Sequence, residues 1–586
     1  MTRRLTTMGA LLALLAACGT GGDTTATTTG DGTAPATQTT ATGGTTGEPS
    51  ATTGEPSDTT ASASGATGGT VRIGYGGSPD SLNPGNGLLA EAYIMYELVY
   101  DTPITVDLDG NYIPELAEEW SVSDDGLTWT LDLVEGATFH DGTPLTAEDV
   151  KYSLELWRDT PDFPYLSAYG DVFEDIQATD EQTVTITLTN PVGNFESRFV
   201  FAYIVPKAIW EKVKDPVAFD NAEMIGSGPF KLAEHRQGEF VRLEANDDYW
   251  AAPPNVDEVI FQTIQNADAR VTALTTGQAD MITEFPKTAV ATLRNDPNIT
   301  VVSGEPLSPS LVDIFFNLVE PERCPEDGVC SGHPALRDLA VRTALAHAID
   351  KQQMIDVVML GLGAPGLSLL APGYGPYFNS EMQDYAFDIA EANRILDEAG
   401  YTDEDGDGVR ECLPDQDCDD LTFRFNFNTD ADTAPREAEL VAGWWAEIGV
   451  ALQIQGLDGD TLTSVCCPAF DFDIIRWSWG GDPDPAFLLG IVLCDELDTG
   501  LSETGYCNEE YDQLYADQGI ETDPEARRQI IWEMQEILMR DLPYIIPYYD
   551  QTVQAYRNDT FTGWQDSATR LALEDPTSLT VVRPAG

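Results

Sequence analysis

The stretch Leu116–Val150 reads LAEEWSVSDDGLTWTLDLVEGATFHDGTPLTAEDV and decides the fold. Its centre places Trp129, Leu131 and Leu133 on one face at a period of two, which predicts a half-buried strand. A Trp-containing strand and an Asp-Gly turn precede it, and the FHDGTPLTAEDV run at Phe139–Val150 turns into a helix. Two strands, a tight turn and a helix start therefore follow one another closely in this region.

Strand and helix patterns alternate along the rest of the chain. Thr183–Leu188 repeats the period-two strand pattern. Apolar residues at helical spacing occur at residues 341–349 and 530–538, and the second run follows an Asp523 cap with Pro524 at the first helical position. The mixture predicts an α/β or mixed α+β fold, and the sequence shows no fixed-period repeat that would indicate a solenoid.

The composition indicates a large globular protein with an acidic surface. Its 586 residues include 99 Asp+Glu and 30 Lys+Arg, a formal net charge of −69, and 42% are hydrophobic. Such a polyanion will not bind nucleic acid or an anionic membrane through a general basic surface. Because the acids are spread along the chain and the cations are mostly Arg, we interpret the surface as an adaptation to high salt; an ordinary solvated acidic surface is the alternative.

The N-terminus has the parts of an export signal. Arg3 and Arg4 precede an apolar run at Leu5–Leu15, which is too short for a permanent membrane span. The run ends in LAAC, which resembles a bacterial lipobox, so residues 1–18 are predicted to be a lipoprotein signal with lipidation at Cys18. An ordinary secretory signal is the alternative.

Residues 19–70 are rich in Thr and Gly. From Ala16 to Thr70 the sequence has no aromatic residue and no Val, Ile, Leu or Met, and TTGEPS occurs twice. A segment of this composition cannot bury apolar area and is typical of a disordered tether. We therefore expect ordered structure to begin near Val71.

The nine cysteines less Cys18 leave an even number in a chain predicted to be exported, which favours disulfides. Close spacing indicates local pairs, namely Cys324 with Cys330, Cys412 with Cys418, and Cys494 with Cys507. The neighbours Cys466 and Cys467 pair with each other or cross to the last pair. A zinc site is the competing interpretation, against which stand the missing CxxC spacing and only four His.

Signatures of catalysis do not occur in the sequence: HExxH, GxSxG and GxxxxGK[ST] have no match. We therefore expect that the protein is not an enzyme and requires no cofactor.

One acidic segment fits the start of a calcium loop. Asp403, Asp405 and Asp407 alternate before a glycine, so that their oxygens can converge on a hard cation. The Glu expected at position twelve of such a loop is replaced by Pro414, although Glu411 offers oxygens. A structural calcium site is one interpretation, and a solvated acidic turn held by cysteines is the other.

The Leu116–Val150 stretch strongly resembles the extracytoplasmic solute-binding proteins that serve peptide and nickel ABC importers. Further blocks follow in that family's order, namely GSGPFKL at Gly226–Leu232, NDDYW at Asn246–Trp250, ALTTGQADM at Ala273–Met281, VRTALAHAIDKQQMI at Val341–Ile355 and LPYIIPYY at Leu542–Tyr549. The resemblance covers essentially all of residues 71–586.

The resemblance implies a two-lobed, periplasmic-binding-protein-like fold with an extra subdomain inserted in the N-terminal lobe. The implied boundaries are 71–113, 225–320 and 550–586 for the N-terminal lobe, 114–224 for the inserted subdomain, and 321–549 for the C-terminal lobe. Such lobes close on a ligand, and binding shifts the open and closed populations by its differential affinity for the two states. The implied partners are permease subunits with their ATPases, with the protein itself a monomer.

The implied ligand site lies in RWSWGGDPDP at Arg476–Pro485. In peptide-binding members, a WxxD motif at this place supplies an acid for the ligand's α-ammonium, and Trp479 and Asp482 match it. Gly480 and Gly481 let the backbone approach a ligand closely. Trp477 and Trp479 share a face and are candidates for stacking on a ligand, or for the core; for Asp482 the alternative is a turn-forming Asp before Pro.

GGSPDSLNP at Gly76–Pro84 resembles the family's early loop, which lines the cleft from the other lobe. Ser78, Asp80 and Asn83 are candidate polar contacts there, although the same residues suit an ordinary turn. The sequence identifies no Arg or Lys for a ligand's C-terminus.

The residues together predict a lipid-anchored, extracytoplasmic receptor that captures a peptide and carries out no covalent chemistry. Three rivals remain open: the same scaffold binding an oligosaccharide or another small solute, an exported hydrolase, and a structural cell-surface protein.

Overall fold

The computed structural model describes residues 68–164, 166–170, 172–305, 310–326, 328–429, 431–481, 484–497, 501–567 and 571–586. The predicted signal peptide, Cys18 and nearly all of the predicted tether lie outside these ranges. The first strand begins at Thr70. Within the described ranges, no helix is both long and apolar enough to span a membrane.

The strand-turn-strand region forms the sheet of the inserted subdomain. Thr128–Leu133 and Thr183–Leu188 form strands with the predicted bounds and pair antiparallel. Ala117–Val122 and Phe173–Ala178 complete the sheet on either side. The helix Ala147–Asp159 follows the turn, and the apolar faces of sheet and helix share one core.

The N-terminal lobe is built on a seven-stranded sheet of the described residues. The strand Thr70–Tyr75 lies inside it, with parallel neighbours on both sides. The spatial order is Ile299–Gly304, Thr552–Arg557, Met281–Ile282, Thr70–Tyr75, Glu258–Thr263, Phe240–Ala245 and Phe230–Arg236. Strands from three separate parts of the chain therefore meet in this lobe.

The C-terminal lobe is built on a six-stranded sheet of the described residues. The spatial order is Gly363–Pro365, Tyr544–Asp550, Ser310–Phe316, Ile474–Gly480, Thr422–Asn428 and Ala451–Leu457. Ser310–Phe316 is central and apolar on both faces, because Val312 and Ile314 enter one core while Leu311 and Phe315 enter another. The C-terminal lobe therefore already includes Ser310, which corrects the predicted boundary at residue 320.

The remaining strands form two short ribbons, Ile104–Val106 with Tyr112–Pro114 and Phe561–Thr562 with Arg583–Pro584. The α-helices are Ala90–Val99, Ala147–Asp159, Leu166–Tyr169, Lys207–Trp210, Ala267–Thr275, Val290–Leu293, Leu339–His347, Lys351–Val357, Ile389–Ala399, Ala434–Ala446, Gly459–Cys466, Ala486–Gly490, Glu509–Ile520, Pro524–Asp541 and Pro576–Leu579. The 3₁₀ helices are Glu196–Phe199, Lys287–Ala289, Pro321–Arg323, Pro334–Arg337, Pro372–Tyr377 and Cys494–Leu497.

Both sequence-predicted helices form. The first spans Leu339–His347. The second begins at Pro524, and the Asp523 carboxylate accepts a hydrogen bond from the Ala526 N–H at 2.9 Å, as its cap position predicts. The mixture of helices with parallel and antiparallel strands confirms the predicted fold class.

Two connections join the described parts of the two lobes, and residues 306–309 of the first connection lie outside the described residues. Gly304 of the N-terminal lobe is followed by the strand that begins at Ser310, and Asp550 of the C-terminal lobe is followed by the strand that begins at Thr552. Gly304 and Thr552 are direct strand partners, so the two connections leave the N-terminal sheet from neighbouring positions. This pair of connections is the hinge between the lobes.

The eight cysteines among the described residues lie in four bonded pairs, which are Cys324 with Cys330, Cys412 with Cys418, Cys466 with Cys467, and Cys494 with Cys507. The neighbours Cys466 and Cys467 thus pair with each other and do not cross to the last pair. His333 lies beside Cys412 and Cys418. Because those two sulfurs are bonded to each other, they are not free thiolates for zinc.

Candidate functional site

A cavity of about 270 Å³ lies where the two lobes join. The N-terminal lobe contributes Glu284, Phe285 and Lys287, and the C-terminal lobe contributes Ser310. Residues 550–553, Asp550 to Val553, form the wall at the hinge. We call this space the interlobe cavity, and its lining mixes charged, polar and apolar side chains, as small-ligand sites do.

The predicted WxxD segment reaches the interlobe cavity through strand pairing. Ile474–Gly480 forms a strand next to Ser310–Phe316, and Gly480 is the direct partner of Ser310, which lines the cavity. The strand therefore ends beside a residue that lines the cavity. Asp482 and Pro483 lie outside the described residues.

Gly481 follows this strand in a tightly packed position. A Cβ at residue 481 would overlap the hydroxyl group of Tyr374, whose ring is buried in the core of the C-terminal lobe. Only glycine fits at this close approach. The backbone that leads to Asp482 is thus held against the lobe.

The two tryptophans lie on one face of the strand, as alternation predicted, but their environments differ. Trp479 is buried, and its Nε1–H donates to the Glu503 carboxylate at 2.9 Å. It belongs to the core of the C-terminal lobe, which is the plainer of the two predicted roles. Trp477 is only partly buried at the edge of the same core. Trp477 is therefore the tryptophan that is better placed to contact a ligand.

Two buried acids that the sequence analysis did not single out lie on the same face of the sheet. Asp313 is the direct strand partner of Trp477 and is fully buried, and neither carboxylate oxygen has a hydrogen-bond partner among the described residues. Burial raises the pKa of Asp313 to about 7, and burial together with Asp313 raises the pKa of Glu503. No sequence signal marks Asp313, because a single acid within an apolar strand pattern suggests a solvent-exposed position at the edge of a sheet.

The early loop uses its candidate residues for internal hydrogen bonds. The Ser78 hydroxyl accepts from the Gly238 N–H at 3.1 Å, and the Asp80 carboxylate accepts from the Leu88 and Leu89 N–H groups at 2.9 and 3.2 Å. The Ser78 bond ties the loop to Gly238, and the Asp80 bonds hold the turn that leads into the helix Ala90–Val99.

Asn83 is buried, and its side chain is fully used by the loop. Its amide group donates to the carbonyls of Pro216 and Phe219, and its side-chain oxygen accepts from the Gly85 N–H. Both amide hydrogens of Asn83 are therefore used within the fold, and a ligand contact at this residue stays a prediction.

The acidic loop brings three of its four predicted ligands together. Carboxylate oxygens of Asp403, Asp405 and Glu411 lie within 4.8 Å of one another, whereas Asp407 is not in this group. The Asp407 carboxylate accepts from the Val409 N–H at 2.8 Å. Backbone N–H groups of the loop also bond to the other three acids, and calcium binding stays a prediction.

Two lobes that enclose a cavity at their hinge define the class of two-lobed solute-binding proteins. The family model described as bacterial extracellular solute-binding proteins, family 5 Middle, matches residues 111–495. The chain belongs to this family, and the resemblance found in the sequence is confirmed.

Individual relatives agree with this assignment. The chain is 28% identical over 503 residues to the oligopeptide-binding protein AppA of Bacillus subtilis, covering 82% of this chain and 86% of that protein. It is 26% identical over 496 residues to the dipeptide-binding protein of Escherichia coli, covering 79% and 86%. The solved structure of the ABC transporter substrate-binding protein CtaP of Listeria monocytogenes matches with a TM-score of 0.73 and 25% identity, covering 88% of this chain and 99% of that chain.

Proposed function

We propose that the protein is the peptide receptor of an ABC importer, anchored by a lipid at Cys18 on the extracytoplasmic face of the membrane. It binds a peptide in the interlobe cavity, closes by rotation at the hinge, and presents the closed form to the permease subunits, which the ATPases drive. The family and the names of its relatives support the class of ligand. We infer a monomer without nucleic-acid partners.

The observation that carries this proposal is that both family loops adjoin residues that line one cavity. Gly480 is paired with Ser310, which lines the cavity, and Gly76 abuts Glu284, which lines it from the other lobe. A ligand held there contacts both lobes, so its binding free energy favours the closed state. We assign the ligand's α-ammonium to Asp482, where a charge-assisted hydrogen bond is strongest out of water.

The test is to titrate the full chain in high salt with a mixed peptide pool and, separately, with an oligosaccharide pool. Tryptophan fluorescence is the signal in both titrations. A saturable change with peptides alone is the expected result. Trp477→Phe should reduce the fluorescence change but leave the calorimetric binding of peptides in place.

The competing functions give different outcomes in the same titration. A response to sugars alone would show that the ligand is an oligosaccharide and not a peptide. Turnover of the bound peptide by the pure protein would indicate a hydrolase. The absence of a saturable response to either pool would indicate a structural protein. Asp482→Asn should weaken binding of peptides with a free α-amine by about tenfold or more and leave N-acetylated peptides unaffected.

A further inference from the structure

Glu284 is held in an unusual backbone conformation at the wall of the interlobe cavity. Its φ is +50°, in the left-handed region that non-glycine residues rarely adopt. The Arg270 side chain is buried beneath it, and the guanidinium donates to the carbonyls of Thr283 at 3.1 Å and of Glu284. The same guanidinium donates to the carbonyls of Ile264 and Gln265 at 2.7 and 3.1 Å. Arg270 therefore fixes the turn that presents Glu284.

The carboxylate of Glu284 lies next to the backbone of Gly76. A Cβ at residue 76 would overlap a Glu284 carboxylate oxygen, so the Glu284 side chain in this position lies directly against Gly76. The Glu284 side chain is nevertheless 55% exposed and lines the cavity. Backbone strain of this kind persists where surrounding groups enforce it, and it is frequent at ligand sites.

Glu284 has one long ion pair, with Arg270 behind the cavity wall, while the lining cation Lys287 is paired with Asp550. Lys287 donates to the Asp550 carboxylate at 2.5 Å, so these two lining charges offset each other. Arg270 comes within 3.9 Å of the Glu284 carboxylate, but its hydrogen bonds go to backbone carbonyls. The lining of the cavity therefore has a net negative charge centred on Glu284.

We propose that Glu284 binds a cationic side chain of the peptide, so that the receptor selects peptides that carry Lys or Arg; this rests on the proposed function. The α-ammonium is assigned to Asp482, which follows the strand of the opposite lobe. The Glu284 carboxylate, on the N-terminal lobe, is then available for a second positive group of the same ligand. Because the backbone that presents Glu284 is already held in place, little free energy is spent on ordering it when an ammonium or guanidinium group binds.

The experiment is calorimetry of the full chain with two tripeptides, Ala-Lys-Ala and Ala-norleucine-Ala, which differ in side-chain charge and little in length. The wild-type protein should bind the lysine peptide about tenfold or more tightly than the norleucine peptide. Glu284→Gln should make the two affinities equal, with norleucine affinity within about twofold of wild type. Glu398→Gln, at an exposed position on the helix Ile389–Ala399, is the matched control and should keep the wild-type preference.

The outcomes separate this inference from the proposed function. If the wild-type protein binds both tripeptides equally, or Glu284→Gln keeps the preference, the assignment of Glu284 is overturned while peptide binding stands. If Glu284→Gln weakens both peptides equally but leaves N-acetylated norleucine peptide unchanged, Glu284 binds the α-ammonium and the side-chain assignment is overturned. If no peptide binds, the proposed function fails as well.

Discussion

At the scale of single residues, the segment that leads to the cavity also anchors the lobe. Arg476 precedes Trp477 on the strand and points to the opposite face, where its Nε donates to the Glu437 carboxylate at 2.6 Å. The Tyr548 hydroxyl donates to the other oxygen of Glu437 at 2.7 Å. Both charged side chains are almost fully buried, so each depends on the other for a counter-charge.

Removing the negative partner of this pair should destabilise the C-terminal lobe. Glu437→Gln leaves the Arg476 guanidinium charged and buried, so we expect a loss of about 3 kcal/mol or more in the free energy of unfolding, measured by urea denaturation. Glu439 lies on the same helix and forms an exposed ion pair with Arg436. Glu439→Gln, the control variant, should lower the free energy of unfolding by less than about 0.5 kcal/mol. Equal losses for the two variants would contradict the role of the buried pair.

A buried acid in the N-terminal lobe should make stability fall as the pH rises. Glu574 accepts from the Gln554 amide group at 2.7 Å, and burial raises its pKa from 4.5 to about 7. Its contribution to stability is fully present below pH 4.5 and is lost as the pH rises through 7, a change on the order of 3 kcal/mol. Glu574→Gln, which keeps the hydrogen bond, should remove that part of the pH dependence between pH 4.5 and 8.

Thermal melts across this range, with the difference between variant and wild type as the measured quantity, check the Glu574 prediction. The general repulsion among surface acids cancels in this difference, because both proteins share it. Glu398→Gln, at an exposed site, should run parallel to the wild type at every pH. A Glu574→Gln curve that also runs parallel would show that Glu574 is ionised in the folded protein.

At the scale of elements, a close contact joins the inserted subdomain to the C-terminal lobe away from the hinge. The Gly193 N–H donates to the carbonyl of Gly519 at 2.8 Å. A Cβ at residue 193 would overlap the carbonyl oxygen of Gln518 and nearly that of Glu521. This close approach of the two elements therefore requires a glycine on the subdomain side of the contact, and we expect the contact to form when the lobes close.

Gly193→Val should hold the two elements apart without unfolding either of them. Because the side chain penalises only the closed state, we expect peptide affinity to fall by about tenfold and the ligand-bound protein to be more extended in small-angle X-ray scattering. Gly519→Ala is the matched control, since a Cβ there meets nothing within 4 Å. Unchanged affinity in Gly193→Val would show that the contact forms no part of closure.

The acidic loop is the second element with a testable role. If Asp403, Asp405 and Glu411 hold calcium, chelation should lower the melting temperature, and calorimetry should detect uptake of added calcium. Asp403→Asn, which removes a charge from the cluster of three oxygens, should abolish both effects, whereas Asp407→Asn should weaken them less. A melting curve unchanged by chelation, with no uptake of calcium, would leave the loop as a solvated acidic turn.

At the scale of the whole molecule, sequence patterns predicted elements well and the site only in part. The alternation of apolar residues at Thr128–Leu133 and the helix cap at Asp523 depend on neighbouring residues only. Such patterns can be seen in the sequence, and the structure agrees with both predictions. Asp313 and Glu284 become notable only through long-range pairing and packing, which place them at Trp477 and Gly76. The residues next to them in the sequence do not indicate these contacts, because each lobe is assembled from segments that are far apart in the chain.

The overall charge leads to a prediction about the entire chain. With a formal net charge of −69, surface carboxylates repel one another, and this repulsion weakens as the Debye length falls from about 10 Å at 0.1 M salt to about 3 Å at 1 M. If the surface is adapted to salt, the melting temperature should rise by several degrees, on the order of 10 °C, between dilute buffer and molar sodium chloride. The rise should shrink at pH 4, where many carboxylates are protonated and there is less charge to screen. A melting temperature that does not rise with salt at neutral pH would rule out the adaptation and leave an ordinary acidic surface.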